Sequence, residues 1–363
     1  MAAVSVCMIV KNEEAVLARC LASVRDLVEE IVVVDTGSTD ATQEIAAKWA
    51  DRVAEFPWRD DFAAARNFAF DLGTMDYLMW LDADDVLEPE DRERFRLLKA
   101  SLEPEEADVI FMSYRVGLDG TDRPALVYDR ERLVRRSLGL RWQGAVHECI
   151  APMGKIIRWD AAVTHRKLGP GDPDRNLRIY EKLLSEGKVL SPREQFYCAR
   201  ELLAHGRDQE AADRLESFLA EDRGWLENNL QACLDLSGCL ERLGRREDSL
   251  TALLRALRYA PPRPELCCAL GLWFFRREDW HTASYWYRQA LSCPAGEQGF
   301  SDPDCRGYIP LLQLCVCAYR LGDAELAASY NRRAQELKPE SAACRRNQIF
   351  FSGLEKNSME MDG

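Results

Sequence analysis

A helical phrase that recurs four times in the second half of the chain is the feature that most restricts the fold. The copies span residues 205–219, 243–257, 276–291 and 321–337. One aligned position holds Gly206, Gly244, Glu278 and Gly322, at intervals of 38, 34 and 44 residues. Five residues later stand the small residues Ala211, Ser249, Ala283 and Ala327. Small residues at a fixed position let helices approach closely, so the phrase predicts helical pairs that stack against one another.

The spacing and the prolines of these copies match the tetratricopeptide pattern. That pattern has a period of about 34 residues, and here prolines follow the second helix at Pro261, Pro294 and Pro339. Because one helical pair cannot bury its apolar face alone, stacked units are required. We therefore expect an all-α tetratricopeptide-repeat domain over residues 171–352 and a flexible tail over residues 353–363. Such an array offers a concave surface suited to a peptide or protein partner.

The first part of the chain has a different pattern, in which short apolar runs alternate with helical segments. The runs predict strands over residues 4–10, 30–35, 51–57, 76–82 and 107–116. The segments between them predict helices over residues 13–24, 41–50 and 62–72. Continuous apolar strands that alternate with helices favour a parallel α/β sheet covered on both faces.

Three later segments are expected to extend this sheet: RERLVRR, AVHECIAP and GKIIRWDAAVTH. A Gly-, Pro- and Asp-rich stretch at residues 168–176 then interrupts the pattern. The predicted first domain is therefore residues 1–170, an α/β domain with a Rossmann-like, mostly parallel sheet.

The composition excludes some classes of function. There are 61 Asp and Glu against 48 Lys and Arg, a net charge of −13, which argues against binding nucleic acid through basic patches. The 13 cysteines have no regular spacing and indicate reduced thiols. No apolar run approaches the roughly 20 residues of a membrane span, and the first residues lack a signal-peptide pattern. We expect a cytoplasmic protein without a membrane span.

Ligands of a parallel sheet bind beyond the carboxyl ends of its strands, so the residues there are the first candidates. After the first strand, Asn12 is expected to cap the next helix and Glu13 to lie in its first turn. Asp35 ends the second strand, where a carboxylate suits a bidentate contact to ribose hydroxyls or a base N–H. Arg66 and Asn67 interrupt an apolar helix, and a buried charge is costly unless it is paired. Pairing of Arg66 with Asp35 or with a phosphate would offset that cost. In the alternative, Arg66 lies at the surface, with its aliphatic stem buried and its guanidinium in solvent.

The stretch WLDADD places Asp82, Ala83, Asp84 and Asp85 at the end of the predicted fourth strand. In an extended chain, residues two apart project to the same side. Mg²⁺ takes one or two carboxylates together with substrate phosphates, and a metal neutralises charge on a departing diphosphate. The stretch therefore predicts a metal–diphosphate site, with Asp85 as a neighbour.

Two further positions in this domain carry acid–base or ligand chemistry. His147 and Glu148 follow Gly144, and each is a candidate general base. His165 ends a predicted strand and is a candidate to complete the metal shell. The sequence has neither a Gly-x-x-x-x-Gly-Lys-Ser/Thr loop nor Gly-x-Gly-x-x-Gly, so P-loop chemistry and nicotinamide binding are unsupported.

Together these motifs resemble the family 2 glycosyltransferases with the GT-A fold. MIVKNEE, VVVDTGSTDAT, ARNFAF, WLDADD and WQGAVHE stand in that family's order, within residues 3–168. The resemblance implies a nucleotide-sugar site formed by Glu13, Asp35, Arg66, Asn67, Asp82 and Ala83. It also implies a Mn²⁺ or Mg²⁺ ion on Asp84, with Asp82 near the ribose and the metal-bound diphosphate. With the strand-end His165, the expected metal ligands are Asp84, Asp82 and His165.

The general base departs from the family pattern. Many members carry a Glu-Asp pair as base and a later Arg-Trp motif, whereas this chain has VHE preceded by LRWQG. We take Glu148 as the base with His147 beside it, and His147 as the alternative.

The implied reaction transfers a sugar from a nucleotide-sugar, which we expect to be a UDP-hexose. It is a single displacement at the anomeric carbon of the sugar, with inversion.

A bacterial subgroup of this family is similar in WQGAVHE, in a following histidine and in the repeats. It includes the sublancin-type peptide S-glycosyltransferases, whose repeats form a dimer interface. We therefore expect a homodimer and a peptide Cys or Ser acceptor. A polysaccharide or other glycan acceptor is one alternative, and a non-catalytic repeat adaptor that binds nucleotide-sugar is another. A nucleotidyltransferase would need a basic, Gly-rich phosphate loop, which the sequence lacks.

Overall fold

The computed structural model describes residues 2–103, 106–118, 124–169, 171–294 and 301–361. The chain divides into two units, Met1–Val189 and Leu190–Gly363. The predicted domain boundary follows residue 170, which lies outside the described ranges. The helix that comes next, Arg175–Ser185, lies in the first unit.

The first unit is built from short strands and from helices that connect them. The strands are β1 (Val4–Val10), β2 (Glu30–Asp35), β3 (Arg52–Glu55), β4 (Tyr77–Trp80), β5 (Asp85–Val86), β6 (Val109–Leu118), β7 (Pro124–Arg135), β8 (Trp142–Gln143), β9 (Cys149–Ile150) and β10 (Ile156–His165). The helices are α1 (Leu17–Val24), α2 (Thr42–Trp49), α3 (Phe62–Leu72), α4 (Pro89–Ser101) and α5 (Arg175–Ser185).

Eight of these strands form one mixed sheet in the order β3-β2-β1-β4-β7-β6-β10-β5. Strands β3, β2, β1 and β4 are mutually parallel, as the apolar runs predict. β7 runs antiparallel to both of its neighbours, β4 and β6. The parallel half brings the carboxyl ends of β1, β2 and β4 to one edge of the sheet.

Apolar side chains cover both faces of this sheet. Alternate residues of β1, including Val6 and Met8, pack with α1 in one core cluster. On the other face, Val32 and Val34 of β2 pack with α3 in a second cluster. This two-sided burial explains why the strand sequences are continuous apolar runs rather than alternating ones. The predicted α/β domain is therefore confirmed.

Two local predictions for this domain are wrong. The segment AVHECIAP does not extend the main sheet, because β9 pairs with β8 in a separate two-stranded sheet. The first helix begins at Leu17 and not at Glu13. Asn12 has a positive φ of 55°, and its side chain binds a neighbouring turn, so residues before Leu17 form a turn of their own.

The second unit consists of helices, as the repeated phrase predicts. They are α6 (Pro192–Ala204), α7 (Asp208–Glu221), α8 (Leu226–Arg242), α9 (Arg246–Arg255), α10 (Pro264–Phe275), α11 (Trp280–Ser292), α12 (Tyr308–Arg320), α13 (Ala324–Leu337) and α14 (Ala342–Met361). Consecutive helices pack as the hairpins α6–α7, α8–α9, α10–α11 and α12–α13. The all-α repeat array is therefore confirmed. α14 continues to Met361, through most of the segment predicted as a tail.

The two aligned positions of the repeat have distinct structural roles. The first lies in the turn between the helices of each hairpin, with positive φ at Gly206, Gly244, Glu278 and Gly322. The small residues five positions later are fully buried: Ala211, Ser249, Ala283 and Ala327. The sequence thus repeats a left-handed turn followed by a close helix contact.

None of the helices in the described ranges is both long and apolar enough to cross a lipid bilayer.

Glu278 occupies a left-handed turn position where the other three copies have glycine. A non-glycine residue in this conformation costs about 1–2 kcal/mol. Glycine avoids that cost, but it also raises the entropy of the unfolded chain, which offsets part of the gain in stability. We expect Glu278→Gly to raise the free energy of unfolding of the repeat unit by about 1 kcal/mol, measured by urea denaturation. Gly244→Ala is the opposite control and should lower it; a destabilised Glu278→Gly variant would contradict the argument.

Candidate functional site

The residues predicted at the strand ends meet at the carboxyl edge of β1, β2 and β4. Asn12 and Glu13 follow β1, Asp35 is the last residue of β2, and Asp82 and Asp84 follow β4. Because these strands are parallel and adjacent, their exits form one surface.

The turn after β1 is tied to the turn after β2. The Asn12 side-chain oxygen accepts a hydrogen bond from the Thr39 N–H at 2.8 Å, so Asn12 does not cap α1 as predicted. The Glu13 N–H donates to Thr42 Oγ1 at 2.7 Å. Burial, together with the nearby carboxylates of Asp84 and Asp82, raises the pKa of Glu13 to about 7. Glu13 thus lies in the electrostatic field of the aspartates after β4.

Asp35 is almost fully buried and its carboxylate is bound within its own turn. It accepts hydrogen bonds from the backbone of Gly37 and Ser38, from the Ser38 hydroxyl, and from Gln43 Nε2 at 2.8 Å. Burial disfavours the charged form, but these hydrogen bonds prevail and lower the pKa of Asp35. Of the partners considered for Arg66, Asp35 is not in contact with it, because Arg66 pairs with Asp82 and Glu148.

Arg66 joins the aspartate after β4 to the candidate base. Its Nη2 donates to Asp82 Oδ1 at 2.6 Å, and its Nε donates to Glu148 Oε1 at 2.7 Å. The guanidinium lies 5.2 Å from the Trp80 ring and 4.9 Å from the Trp142 ring. Arg66 is only 7% exposed, and its two carboxylate partners raise its pKa against the effect of burial. The sequence argument that this arginine must be paired is correct, but its partners are Asp82 and Glu148.

Asn67 holds the two-stranded sheet against α3. Its Nδ2 donates to the Trp142 carbonyl at 3.0 Å, and its Oδ1 accepts from the Trp142 N–H at 2.9 Å. Both polar groups of the side chain are therefore bound to one backbone unit. The Trp142 ring that packs beside Arg66 is positioned by this contact.

Asp84, Asp85 and His165 form the one group in the described residues whose ligand atoms lie close enough to share a metal ion, all within 4.8 Å of one another. His165 Nδ1 is 3.3 Å from Asp84 Oδ1 and 3.3 Å from Asp85 Oδ1. Asp82, predicted as a metal ligand, is not in this group; its carboxylate accepts a hydrogen bond from Arg66. Ala83, which lies between Asp82 and Asp84 in the sequence, is buried in the core. Two carboxylates and an imidazole are donors that suit Mn²⁺, and carboxylates also suit Mg²⁺.

The protonation of His165 is governed by these acids. Burial disfavours the imidazolium, but hydrogen bonds to Asp84 and Asp85 outweigh it and raise the pKa of His165 to about 10. In the metal-free protein, these two acids therefore favour the imidazolium form of His165.

The loop that carries His147 and Glu148 is fixed at several points. The Ala145 carbonyl accepts from the Phe62 N–H at the start of α3 at 2.9 Å. The Val146 carbonyl accepts from the Tyr180 hydroxyl of α5 at 3.3 Å. His147 has a positive φ of 51°, and the Glu148 side chain is 13% exposed. The loop therefore presents Glu148 to Arg66 in a defined position.

Three buried residues of the site were missed in the sequence. Asp85, predicted only as a neighbour, is fully buried and ion-paired with Arg132 at 3.2 Å. Arg132 is also fully buried and lies 3.7 Å from the Trp80 ring. The Tyr114 hydroxyl binds both Asp85 and His165. One available signal was Arg132 itself, a charge next to Leu133 and Val134 within the strand segment RERLVRR.

Arg66 should be a large contributor to the stability of the first unit. Arg66→Met leaves the carboxylates of Asp82 and Glu148 without their cation, and removing one partner of a buried pair costs roughly 3 kcal/mol. We expect that loss in the free energy of unfolding, measured by urea denaturation. Arg141→Met is the matched control, because the Arg141–Asp71 pair is exposed and should be worth less than about 1 kcal/mol. Equal effects of both variants would contradict the bridging role.

The stability of the metal-free protein should depend on His165 at alkaline pH. The folded-state pKa of about 10 lies above the ordinary 6.5, so the stabilisation is fully present below pH 6.5 and is lost as the pH rises through 10. We expect the difference in free energy of unfolding between the wild type and His165→Asn to shrink from pH 6 to pH 10. A difference for His165→Asn that stays constant from pH 6 to pH 10 would refute the assignment.

Comparison with known proteins agrees with both units. Residues 5–162 match the model of the family "Glycosyl transferase family 2". The chain is 30% identical over 309 residues to the TPR repeat-containing protein Synpcc7942_0270 of Synechococcus elongatus, covering 81% of this chain and 67% of that protein.

Two named glycosyltransferases are similar over shorter stretches. The SPbeta prophage-derived glycosyltransferase SunS of Bacillus subtilis is 28% identical over 226 residues, covering 58% of this chain and 52% of SunS. The lipopolysaccharide core biosynthesis glycosyltransferase LpsC of Rhizobium meliloti is 36% identical over 154 residues, covering 40% of this chain and 56% of LpsC. The chain thus spans about half the length of these two relatives. It belongs to glycosyl transferase family 2 and is a glycosyltransferase with tetratricopeptide repeats.

Proposed function

We propose that the protein transfers a hexose from a UDP-sugar to an acceptor side chain of a peptide, in one inverting, metal-dependent displacement. The observation that carries this proposal is the arrangement of Asp84 and His165 beside the Arg66 bridge at the carboxyl edge of the sheet. Carboxylates, an imidazole and a buried guanidinium lie together there, which supports assigning the metal, the donor and the base to this edge.

Asp84 and His165 are the proposed metal ligands, with Asp82 next to them at the donor. Their side chains are 19% and 21% exposed, so each can reach a ligand from the open side. A bound Mn²⁺ or Mg²⁺ would neutralise charge on the departing diphosphate. Glu13 and the turn built around Asp35 flank the nucleoside, and Arg66 holds Asp82 in place.

Glu148 is the proposed general base, and His147 is the alternative. The contact of Glu148 with Arg66 fixes the direction of its carboxylate, and positioned bases contribute roughly 10²–10⁴-fold to a rate. If the acceptor is a cysteine, proton removal yields the thiolate, which is the nucleophile.

A glycan is the second candidate acceptor. The similarity to LpsC extends over 154 residues. Because LpsC is named for lipopolysaccharide core biosynthesis, this similarity favours a glycan acceptor. The similarity to SunS and the repeat array favour a peptide or protein. Self-association through the repeats and a cytoplasmic location belong to the same proposal, and light scattering of the purified chain tests the first of them.

The central test is release of UDP. The wild type, incubated with a panel of UDP-hexoses and Mn²⁺, should release UDP by slow hydrolysis even without acceptor, and chelation should abolish it. Asp84→Asn should lower turnover by about 100-fold or more, within the range for loss of a transition-state charge contact. Arg141→Met is the control that should keep wild-type turnover. Absence of UDP release from every donor, with nucleotide binding unchanged in Asp84→Asn, would overturn catalysis in favour of a nucleotide-sugar-binding adaptor.

The base assignment has its own test. Glu148→Gln should lower kcat by roughly 10²–10⁴-fold and change UDP affinity little, whereas His147→Ala should lower kcat by only a few-fold. The reverse ranking would assign the base to His147.

A further inference from the structure

We propose that Asp85 is a positioning residue that holds the Nδ1–H of His165 and so presents His165 Nε2, rather than Nδ1, to the metal ion. This inference rests on the proposed function, because it concerns the same ion. It departs from the simplest interpretation of the cluster, in which Asp84, Asp85 and His165 are three equivalent ligands.

The hydrogen bonds of Asp85 leave its carboxylate little capacity for a cation. Oδ2 accepts from the Asp82 N–H at 3.1 Å and from Arg132 Nη1 at 3.2 Å. Oδ1 accepts from the Tyr114 hydroxyl at 2.8 Å and lies 3.3 Å from His165 Nδ1. Two donors therefore saturate one oxygen, and the other is shared by a hydroxyl and an imidazole.

The burial of the three side chains separates Asp85 from the other two. Its side chain is 0% exposed, against 19% for Asp84 and 21% for His165. An ion that binds a sugar diphosphate must keep coordination positions open to the substrate. An ion placed on Asp85 would also stand near the buried guanidinium of Arg132. Asp84 and His165 meet the requirement for access, and Asp85 does not.

Three oxygen atoms that can accept a proton lie near His165 Nδ1. Besides Asp85 Oδ1, they are the Tyr114 hydroxyl at 3.0 Å and Asp84 Oδ1 at 3.3 Å. Histidine ligands of metals commonly donate their other ring N–H to a carboxylate, which fixes the tautomer and the ring orientation. Asp85 is placed to do this, and Arg132 and Tyr114 hold Asp85 in turn. The hydrogen bond from the Asp82 N–H to the Asp85 carboxylate extends the same support to the loop that carries Asp84.

The nitrogen that binds the metal can be identified without any activity. In protein labelled with [¹⁵N]histidine and loaded with ¹¹³Cd²⁺, we expect a ¹¹³Cd–¹⁵N coupling at His165 Nε2 and a protonated Nδ1. A coupling at Nδ1 would overturn the proposal.

Affinity for Mn²⁺, measured by calorimetry, tests the role of Asp85. Loss of an outer-shell partner costs roughly 10–100-fold in metal affinity, and we expect a loss of that size for Asp85→Asn. Asp84→Asn, which removes a ligand, should lose more. Tyr114→Phe removes one hydroxyl, should fold if Asp85→Asn does not, and should lose several-fold. Asp91→Asn is the matched control and should keep wild-type affinity, because Asp91 is a buried aspartate paired with Arg115 that is not part of the Asp84–Asp85–His165 group.

The outcomes separate this inference from the proposed function. If Asp85→Asn abolishes binding as completely as Asp84→Asn, Asp85 is a ligand and the inference fails. If Asp85→Asn and Tyr114→Phe bind Mn²⁺ like the wild type, Asp85 is only structural and it also fails. UDP release can persist in both of those cases. A wild type that couples ¹¹³Cd²⁺ at Nε2 but releases no UDP would contradict the proposed function alone.

Discussion

The site depends on the pairing of each aspartate after β4 with a cation from a different element. Asp82 binds Arg66 of α3, Asp84 lies beside His165 of β10, and Asp85 binds Arg132 of β7. Three carboxylates this close would otherwise repel one another strongly in a buried setting. Because the cations come from three elements, the pairing also fastens those elements to the end of β4.

This pairing explains features that seem unrelated in the sequence. Arg66 is tolerated in an apolar helix because two carboxylates and two indole rings surround it. Arg132 is tolerated inside a strand because Asp85 and the Trp80 ring face it. Asn67 and Trp142 complete the arrangement by holding the small β8–β9 sheet, and with it the loop of Glu148, against α3. Removal of one charge from such a network is costly since its partner stays buried, which ties the fold of this edge to its chemistry.

The sequence predicts the architecture well because periodicity reports burial directly. The apolar runs of β1, β2 and β4 and the repeated turn at Gly206, Gly244 and Gly322 are local patterns that the structure retains. The contacts of the site depend on long-range register, which local patterns do not report. Arg66 binds Glu148, 82 residues further along the chain, where Asn67 anchors Trp142, and local patterns carry no information on such a distance. Likewise, the Asp35 carboxylate accepts hydrogen bonds within its own turn and is therefore not available to Arg66. Asp85 and Asp84 cannot be told apart in the sequence, because the contacts that distinguish Asp85 come from β7 and β10.

The central claim is that one surface at the carboxyl edge of the sheet holds both the metal and the donor, with Arg66 linking that donor site to the base. Anomalous diffraction from crystals grown with UDP and Mn²⁺ tests it most directly. We predict a manganese peak in contact with Asp84 and His165, UDP diphosphate beside it, and Arg66 still bound to Asp82 and Glu148. A manganese peak away from these residues, or UDP bound elsewhere on the chain, would contradict it.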